Sequence, residues 1–229
     1  MESARTRPST RINRLGEKQS ESRERLHELL DSTPLATVAL VRDGGHVAFP
    51  TGFARIADEL VIHGSTGSRW LRALTDGASA AVSVTALDGV VVARSGFESS
   101  FRYRSAVVFG RFERVPDDQK LDYLETLMDT FIPGRVAELR SSSRNELAAT
   151  MALRMPVESD NWSLKISAGW PEDPDDDDDV AAGVWAGVVP LTTAYGEPLT
   201  APDVPAHTPL PDSVRAMTGT LRNMAPYRA

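Results

Sequence analysis

Leu60-Val61-Ile62-His63-Gly64-Ser65-Thr66-Gly67-Ser68-Arg69 runs straight into Trp70-Leu71-Arg72-Ala73-Leu74. A short apolar, β-branched run gives way to a loop of glycine and hydroxyl residues, and the loop opens an amphipathic helix. Backbone N–H groups at a helix N-terminus are unpaired and carry the positive end of the helix dipole. Joined by the hydroxyls of Ser65, Thr66 and Ser68 and by the Arg69 guanidinium, they make a place for a phosphate. The plainer reading is that Ser65 or Thr66 caps a surface helix and Arg69 is solvated.

Working outward, the pattern predicts a first helix over Ser20–Leu30, with Ser20 and Ser22 as caps and Pro34 just beyond. Leu35–Val41 and His46–Phe49 flank Asp43-Gly44-Gly45, a strong hairpin signal. Glu59–His63 is a third strand, and the helix after the Gly/Ser loop ends near Gly77. Ala80–Leu87 alternates as a half-buried strand, Asp88-Gly89 is expected to turn the chain, and Val90–Ala93 follows. Arg104–Val115 is expected to be the longest strand, with Val107, Phe109, Arg111 and Glu113 on one face and Ala106, Val108, Gly110 and Phe112 on the other. Helices are predicted from Pro116 to just before Pro133, over about Arg144–Leu153, and from Pro211 through Leu221, with a strand over Trp162–Ile166. Six or so strands with hairpin connections and a few inserted helices suggest a small antiparallel barrel rather than alternating βαβ units.

The chain has 229 residues and a formal net charge of −7, which speaks against a general nucleic-acid binder. No apolar run approaches the length needed to span a bilayer, so no membrane partner is expected. The start of the chain shows no signal-peptide h-region. The absence of cysteine removes disulfides and thiolate chemistry and is compatible with a cytoplasmic setting. Charge is uneven: residues 1–19 read as a basic, flexible arm, residues 20–200 as the barrel, and residues 201–229 as a tail with a short helix. The acidic run over 172–179 is read as a solvated loop, since the spacing and glycine of a calcium loop are missing. No metal site is expected, because His27, His46 and His207 show no ligand spacing with His63. A nucleophile elbow and a dinucleotide glycine fingerprint are both absent.

A second segment, Phe97-Glu98-Ser99-Ser100-Phe101-Arg102-Tyr103-Arg104-Ser105-Ala106-Val107-Val108-Phe109-Gly110, completes a pattern. A strand ending in a Gly/Ser/Arg loop, then two strands, then Tyr-Arg-Ser entering a valine-rich strand resembles the FMN-binding split-barrel superfamily. The similar branch is the pyridoxamine-phosphate-oxidase-like flavin-nucleotide-binding proteins, which include nitroimidazole reductases. Phe131-Ile132-Pro133-Gly134-Arg135, Glu146–Thr150 and Val184–Leu191 extend the resemblance, which runs from about Arg11 to Pro202.

The resemblance implies a homodimer of six-stranded split barrels with FMN at the subunit interface. It implies that His63, Gly64, Ser65, Thr66, Ser68 and Arg69 hold the phosphate end, that Arg104 and Ser105 add flavin contacts, and that Phe49, Pro50 and Thr51 lie along the ring edge. Deazaflavin and haem are the alternative cofactors. The implied activity is flavin-centred oxidation or reduction of a small organic substrate of nitroaromatic, quinone or enone type. The alternative is a non-catalytic flavin carrier or regulatory barrel. Departures are plain: Trp70 and Thr51 stand where the oxidases carry lysine, Ser105 where they carry glutamine, and no Arg-x-His pair follows Met217. Glu98 and Ser99 stand where related flavin binders often have a histidine pair.

Several residues keep two readings. His63 is a flavin contact or a hydrogen-bonded, half-buried imidazole. Arg104 contacts cofactor or pairs with Glu98 or Glu113. Tyr103 is a ring contact or a core or interface aromatic, Arg135 a gate over the pocket or a solvated helix-start residue, and Trp185 a residue stacking on flavin or substrate or an anchor for the tail. An open barrel leaves the strand faces around Val107–Phe112 exposed in a monomer, the kind of patch that marks a C2 interface.

Overall fold

The computed structural model describes residues 9–171, 177–219 and 221–222. In chain order come β1 (Gln19–Ser20), α1 (Arg23–Ser32), β2 (Leu35–Arg42), β3 (Gly45–Ile56), β4 (Glu59–Ser65) and α2 (Arg69–Thr75). Next are β5 (Ser79–Val92), β6 (Ser100–Arg111), β7 (Glu113–Arg114), α3 (Lys120–Phe131), α4 (Arg144–Ala149) and β8 (Thr150–Pro156). The chain finishes with β9 (Trp162–Ser167), α5 (Asp177–Ala181), β10 (Gly187–Pro190), β11 (Thr193–Ala194), α6 (Asp212–Met217) and β12 (Leu221–Arg222).

Ten strands join one antiparallel sheet in the order β1-β9-β6-β5-β2-β3-β4-β8-β7, with β10 on the side of β5. The path ends at β1 and β7, which do not pair, so the barrel stays open in the split-barrel manner. Ten strands replace the expected six. Part of the difference is β8, read from sequence as the continuation of a helix to Leu153. Met151, Ala152, Leu153 and Met155 are all buried there, so the strand shows no alternation to read.

The β2–β3 connection is a two-residue turn in which Asp43 and Gly44 both have positive φ, the backbone that matches strand twist. β3 continues well beyond Phe49, through Pro50 to Ile56. Around Pro50 it pairs with β2 only, because β4 joins at Phe53, and the missing N–H breaks no ladder on the free side. β5, not the strand at Arg104, is the longest at 14 residues. Asp88-Gly89 does not turn the chain: Leu87 faces Tyr103 and Gly89 faces Arg102, which leaves Asp88 in a bulge within a continuous strand. β2 occupies one edge of β5 at residues 80–83, and β10 takes the same edge at residues 89–92. A Cβ at Gly89 would lie 2.8 Å from the Val189 carbonyl oxygen, so glycine is what lets β10 approach.

The interior is filled from β2 to β6, β8 and β9 and is plugged by Leu26, Leu29 and Leu30 of α1 and Leu71 and Leu74 of α2. Ser22 caps α1 by accepting from the Arg25 N–H. On β6 the interior set is Ala106 and Val108, with Phe112 just beyond it, as the alternation predicts. Outside the sheet, α3 lays Leu127 over Ala54 of β3 and Val61 of β4.

Two further expectations change. Residues 9–20 are not a free arm: the Gln19 amide oxygen accepts from the Ile12 N–H at 2.7 Å, and β1 pairs with β9. Arg5 and Arg7 lie outside the described residues. In the acidic run, residues 177–181 form α5 rather than a loop, with Asp177, Asp178 and Asp179 in the first turn where the helix dipole favours them. Residues 172–176 lie outside the described residues.

Candidate functional site

The Gly/Ser loop is built by strand pairing on one side and by α2 on the other. His63 faces Ala152 and Ser65 faces Thr150 across the β4–β8 ladder, and the Thr66 N–H continues it to the Ala149 carbonyl at 2.9 Å. The Ser68 N–H closes back on the Ser65 carbonyl, and the Gly67 N–H donates to Ser65 Oγ at 3.1 Å. Arg72, one turn into α2, donates from Nε to the Thr66 carbonyl at 2.8 Å and fixes the loop from below. A Cβ on Gly64 would sit 2.7 Å from Leu71 Cδ1, so the strand end can lie this close to α2 only as glycine.

The backbone of this loop is spent on holding its own shape, but the Thr66 and Ser68 hydroxyls and the Arg69 guanidinium remain available among the described residues. Ser68 is the N-cap of α2, but its side chain makes no capping bond. Arg69 is exposed and has no hydrogen-bond or ion-pair partner among the described residues. Phe49 of β3 stacks on Trp70 with centroids 5.1 Å apart and ring planes at 20°, so β3 and the loop are held together. His63 is exposed at the end of β4, yet desolvation by its neighbours pushes the imidazole below its ordinary pKa.

Residues directly opposite in an antiparallel pair share a face. Pro50, Thr37, Ser83, Val107 and Ser163 therefore form one row across the outer side of β3, β2, β5, β6 and β9. The next row is Thr85, Ser105, Lys165 and Gln19, and Tyr103 follows between Leu87 and Ser167. Thr37, Ala39, Ser83, Ser105, Val107 and Lys165 are half-buried on this face and belong to neither apolar cluster. It is a floor of small and hydroxyl side chains. At its far end a cavity of about 710 Å³ opens among Ala39, His46, Ala48, Ala81, Phe109 and Arg111.

The expected residues thus divide. His63 to Arg69 and Phe49 come together, and Pro50, Ser105 and Tyr103 share the outer floor, while Thr51 takes the opposite parity to Pro50 on β3. Arg104 is engaged: Nε and an Nη donate to the two carboxylate oxygens of Asp88, each at 2.9 Å, in a pair only 14% and 10% exposed. Its partner is neither Glu98 nor Glu113. Glu98 is half-buried in the β5–β6 connection, its N–H donating to Ser95 Oγ. Trp185 is 63% exposed and folds over Gly187 where β10 joins β5. Arg135 pairs with Glu138 at 3.0 Å, and Glu138 accepts from the backbone N–H and hydroxyl of Ser213. Arg135 therefore serves the docking of α6. The Ser213 hydroxyl and N–H, with Arg135, hold the Glu138 carboxyl down at about 2. Asp88, Arg72 and Lys165 were not among the residues singled out from sequence.

An open antiparallel barrel with an exposed hydroxyl-and-arginine loop at a strand–helix junction defines a split-barrel protein. The chain belongs to the pyridoxamine 5'-phosphate oxidase family, whose model matches residues 22–161. Among solved structures it is similar to the FAD and haem binding protein from Mycobacterium smegmatis, at 73% identity and TM-score 0.86 over 90% of this chain and 100% of that one. It is also similar to the flavocytochrome Anf3 from Azotobacter vinelandii, at 29% identity and TM-score 0.83 over 93% and 100% of the two chains. A putative 5-nitroimidazole antibiotic resistance protein from Bacteroides thetaiotaomicron shares the fold, at 17% identity and TM-score 0.55 over 65% and 86%. No protein of curated function matched the sequence.

Proposed function

We propose that this protein is a flavohaem oxidoreductase that binds FAD and haem and works as a homodimer. The observation that carries the reading is its 73% identity, over 90% of its length, to a protein described as binding both groups. The loop chemistry supports it. A pyrophosphate needs hydroxyl and guanidinium donors, and the Thr66 and Ser68 hydroxyls and the Arg69 guanidinium offer them without partners among the described residues, beside Ser65, whose Oγ already accepts from the Gly67 N–H. The Phe49–Trp70 stack holds the loop against β3, and the small outer floor that begins at Pro50 suits a flat heterocycle with a polar edge. FAD thereby takes the place expected for FMN, at the same loop.

Haem would be held through a histidine, and His63, which stands beside the loop with its imidazole pKa lowered by desolvation, is the residue we assign to it. The two groups supply electron transfer when bound. The protein's part is to hold them, orient them and set the charge around them, so no dedicated catalytic side chain is required. Oxidation of pyridoxamine phosphate is not part of this reading, because the Arg-x-His pair is missing and Thr51 and Trp70 replace two lysines. A nitroaromatic, quinone or enone is the acceptor class to try first.

Reconstitution tests the reading. The purified chain should take up FAD in preference to FMN and deazaflavin by fluorescence titration, and haemin with a Soret band that His63→Ala alters. Turnover of an acceptor separates an enzyme from a carrier. A colourless protein that titrates with neither flavin nor haemin overturns the proposal, and a 24.9 kDa monomer that holds FAD tightly by light scattering overturns the dimer.

A further inference from the structure

We infer that Lys165, on the outer floor of the barrel, is the positioning cation that sets how readily the bound flavin is reduced. The inference rests on the flavin reading above. Arg104 was the expected cation near this part of the site, but both of its carboxylate-facing donors are taken by Asp88 at the β5 bulge. Its charge is therefore compensated. Lys165 is different. It stands in the row Thr85, Ser105, Lys165, Gln19, where every flanking side chain is neutral. It has no carboxylate within ion-pair distance among the described residues.

Lysine is almost never drawn in without a partner, and a lysine on a bare surface extends into water. Lys165 instead is half-buried, with Nζ lying 5.8 Å from the centroid of the Tyr103 ring on the neighbouring strand. That contact orients the ammonium over the floor rather than away from it. An uncompensated cation beside a small, hydroxyl-lined floor is suited to a ligand that gains negative charge.

A flavin does so. Two electrons and one proton added to the oxidised ring leave one negative charge on its N1–C2 carbonyl edge, and in a titration dithionite supplies the electrons and is oxidised to sulfite. Lys165 would favour that form by Coulomb attraction, without touching phosphate binding at the Ser65–Arg69 loop.

The test is an equilibrium reduction of the FAD-loaded protein against a reference dye, for wild type, Lys165→Met and Lys165→Arg. Methionine keeps the stem and removes the charge, and arginine restores the charge. At a dye poise that half-reduces wild type, the Met variant should show a reduced-to-oxidised ratio lower by about tenfold or more, while Arg stays within about twofold. By the thermodynamic cycle that links reduction to binding, affinity for reduced FAD should fall about tenfold relative to affinity for oxidised FAD in the Met variant and stay within about twofold in the Arg variant. Equal ratios for wild type and Lys165→Met, with flavin bound in each, overturn the inference and leave the flavin reading standing. A wild-type protein that takes up no flavin overturns both.

Discussion

The sheet has two outer faces, and they were finished differently. Over β3, β4 and β8 the chain supplies its own cover: Leu127 of α3 closes on Ala54 and Val61, all nearly inaccessible to solvent. Over β2, β5, β6 and β9 no helix among the described residues closes in that way, and the residues there are Thr37, Ala39, Ser83, Ser105, Val107 and Lys165, half-buried and mostly small or polar. Large apolar side chains are spent where a helix can meet them. Small ones remain on the face to which the proposed flavin and the proposed second copy of the chain are assigned. The contrast separates residues that hold the fold from residues proposed to hold a ligand, and substitutions can break it or sharpen it.

The largest effect should come from the charge pair beneath the uncovered face. Arg104→Met strands Asp88, and truncating one member of a largely buried pair costs about 3–5 kcal/mol. Denaturant melts should show this loss, and Asp88→Leu placed on the same background should recover part of it. On the covered face, Leu127→Ala should destabilise by about 2–5 kcal/mol through lost burial and a residual cavity, with flavin affinity retained in the folded fraction. Equal stability of Leu127→Ala and wild type would show that α3 is not the cover described here.

At the loop the effect should fall on binding and not on the fold. Arg69→Ala should weaken FAD by about 1.5–3 kcal/mol in fluorescence titration, the worth of a charged hydrogen bond, with an unchanged melting temperature for the apoprotein. A melting temperature that falls with it would make Arg69 a structural residue.

The docking of α6 should depend on acid. The Glu138 carboxyl is depressed from 4.5 to about 2, so its contribution is complete above the unfolded value and is lost as pH falls through the folded one. Amide exchange in residues 212–217 should therefore stay slow down to about pH 4.5 and accelerate toward pH 2, once intrinsic exchange is corrected for. Glu138→Gln should flatten that dependence. The smallest change belongs to the bare floor: Ser163→Ala should alter stability by no more than about 0.5 kcal/mol.

Much of this was legible in the sequence. Asp43-Gly44 marks a turn that needs two positive φ angles, and the alternation after Arg104 sorts Ala106 and Val108 inward. The loop from Ser65 to Arg69 is readable because local chemistry makes it. What was not legible depends on partners distant in sequence. Leu153 looks helical because Met, Ala and Leu are good helix formers, and only burial on both faces makes β8 a strand. Asp88-Gly89 looks like a turn until β10 is found holding it: the Leu191 N–H donates to the Asp88 carbonyl. That same bulge pairs Asp88 with Arg104, a match no short-range pattern predicts. In Trp162-Ser163-Leu164-Lys165-Ile166-Ser167 the alternation was present, but a lysine on the polar side reads as solvated until its half-burial over Tyr103 is seen.

The way β2 and β10 share one edge of β5 bears on solubility. Residues 89–92 carry a valine-rich edge, and the chain guards it with a strand that arrives nearly a hundred positions later. A chain that has not yet delivered residues 187–190 leaves that ladder unpaired, a ready template for another molecule's strand. Truncation before β10 should therefore leave the barrel folded but prone to self-association, so the late strand works as an edge guard during synthesis as well as in the finished sheet.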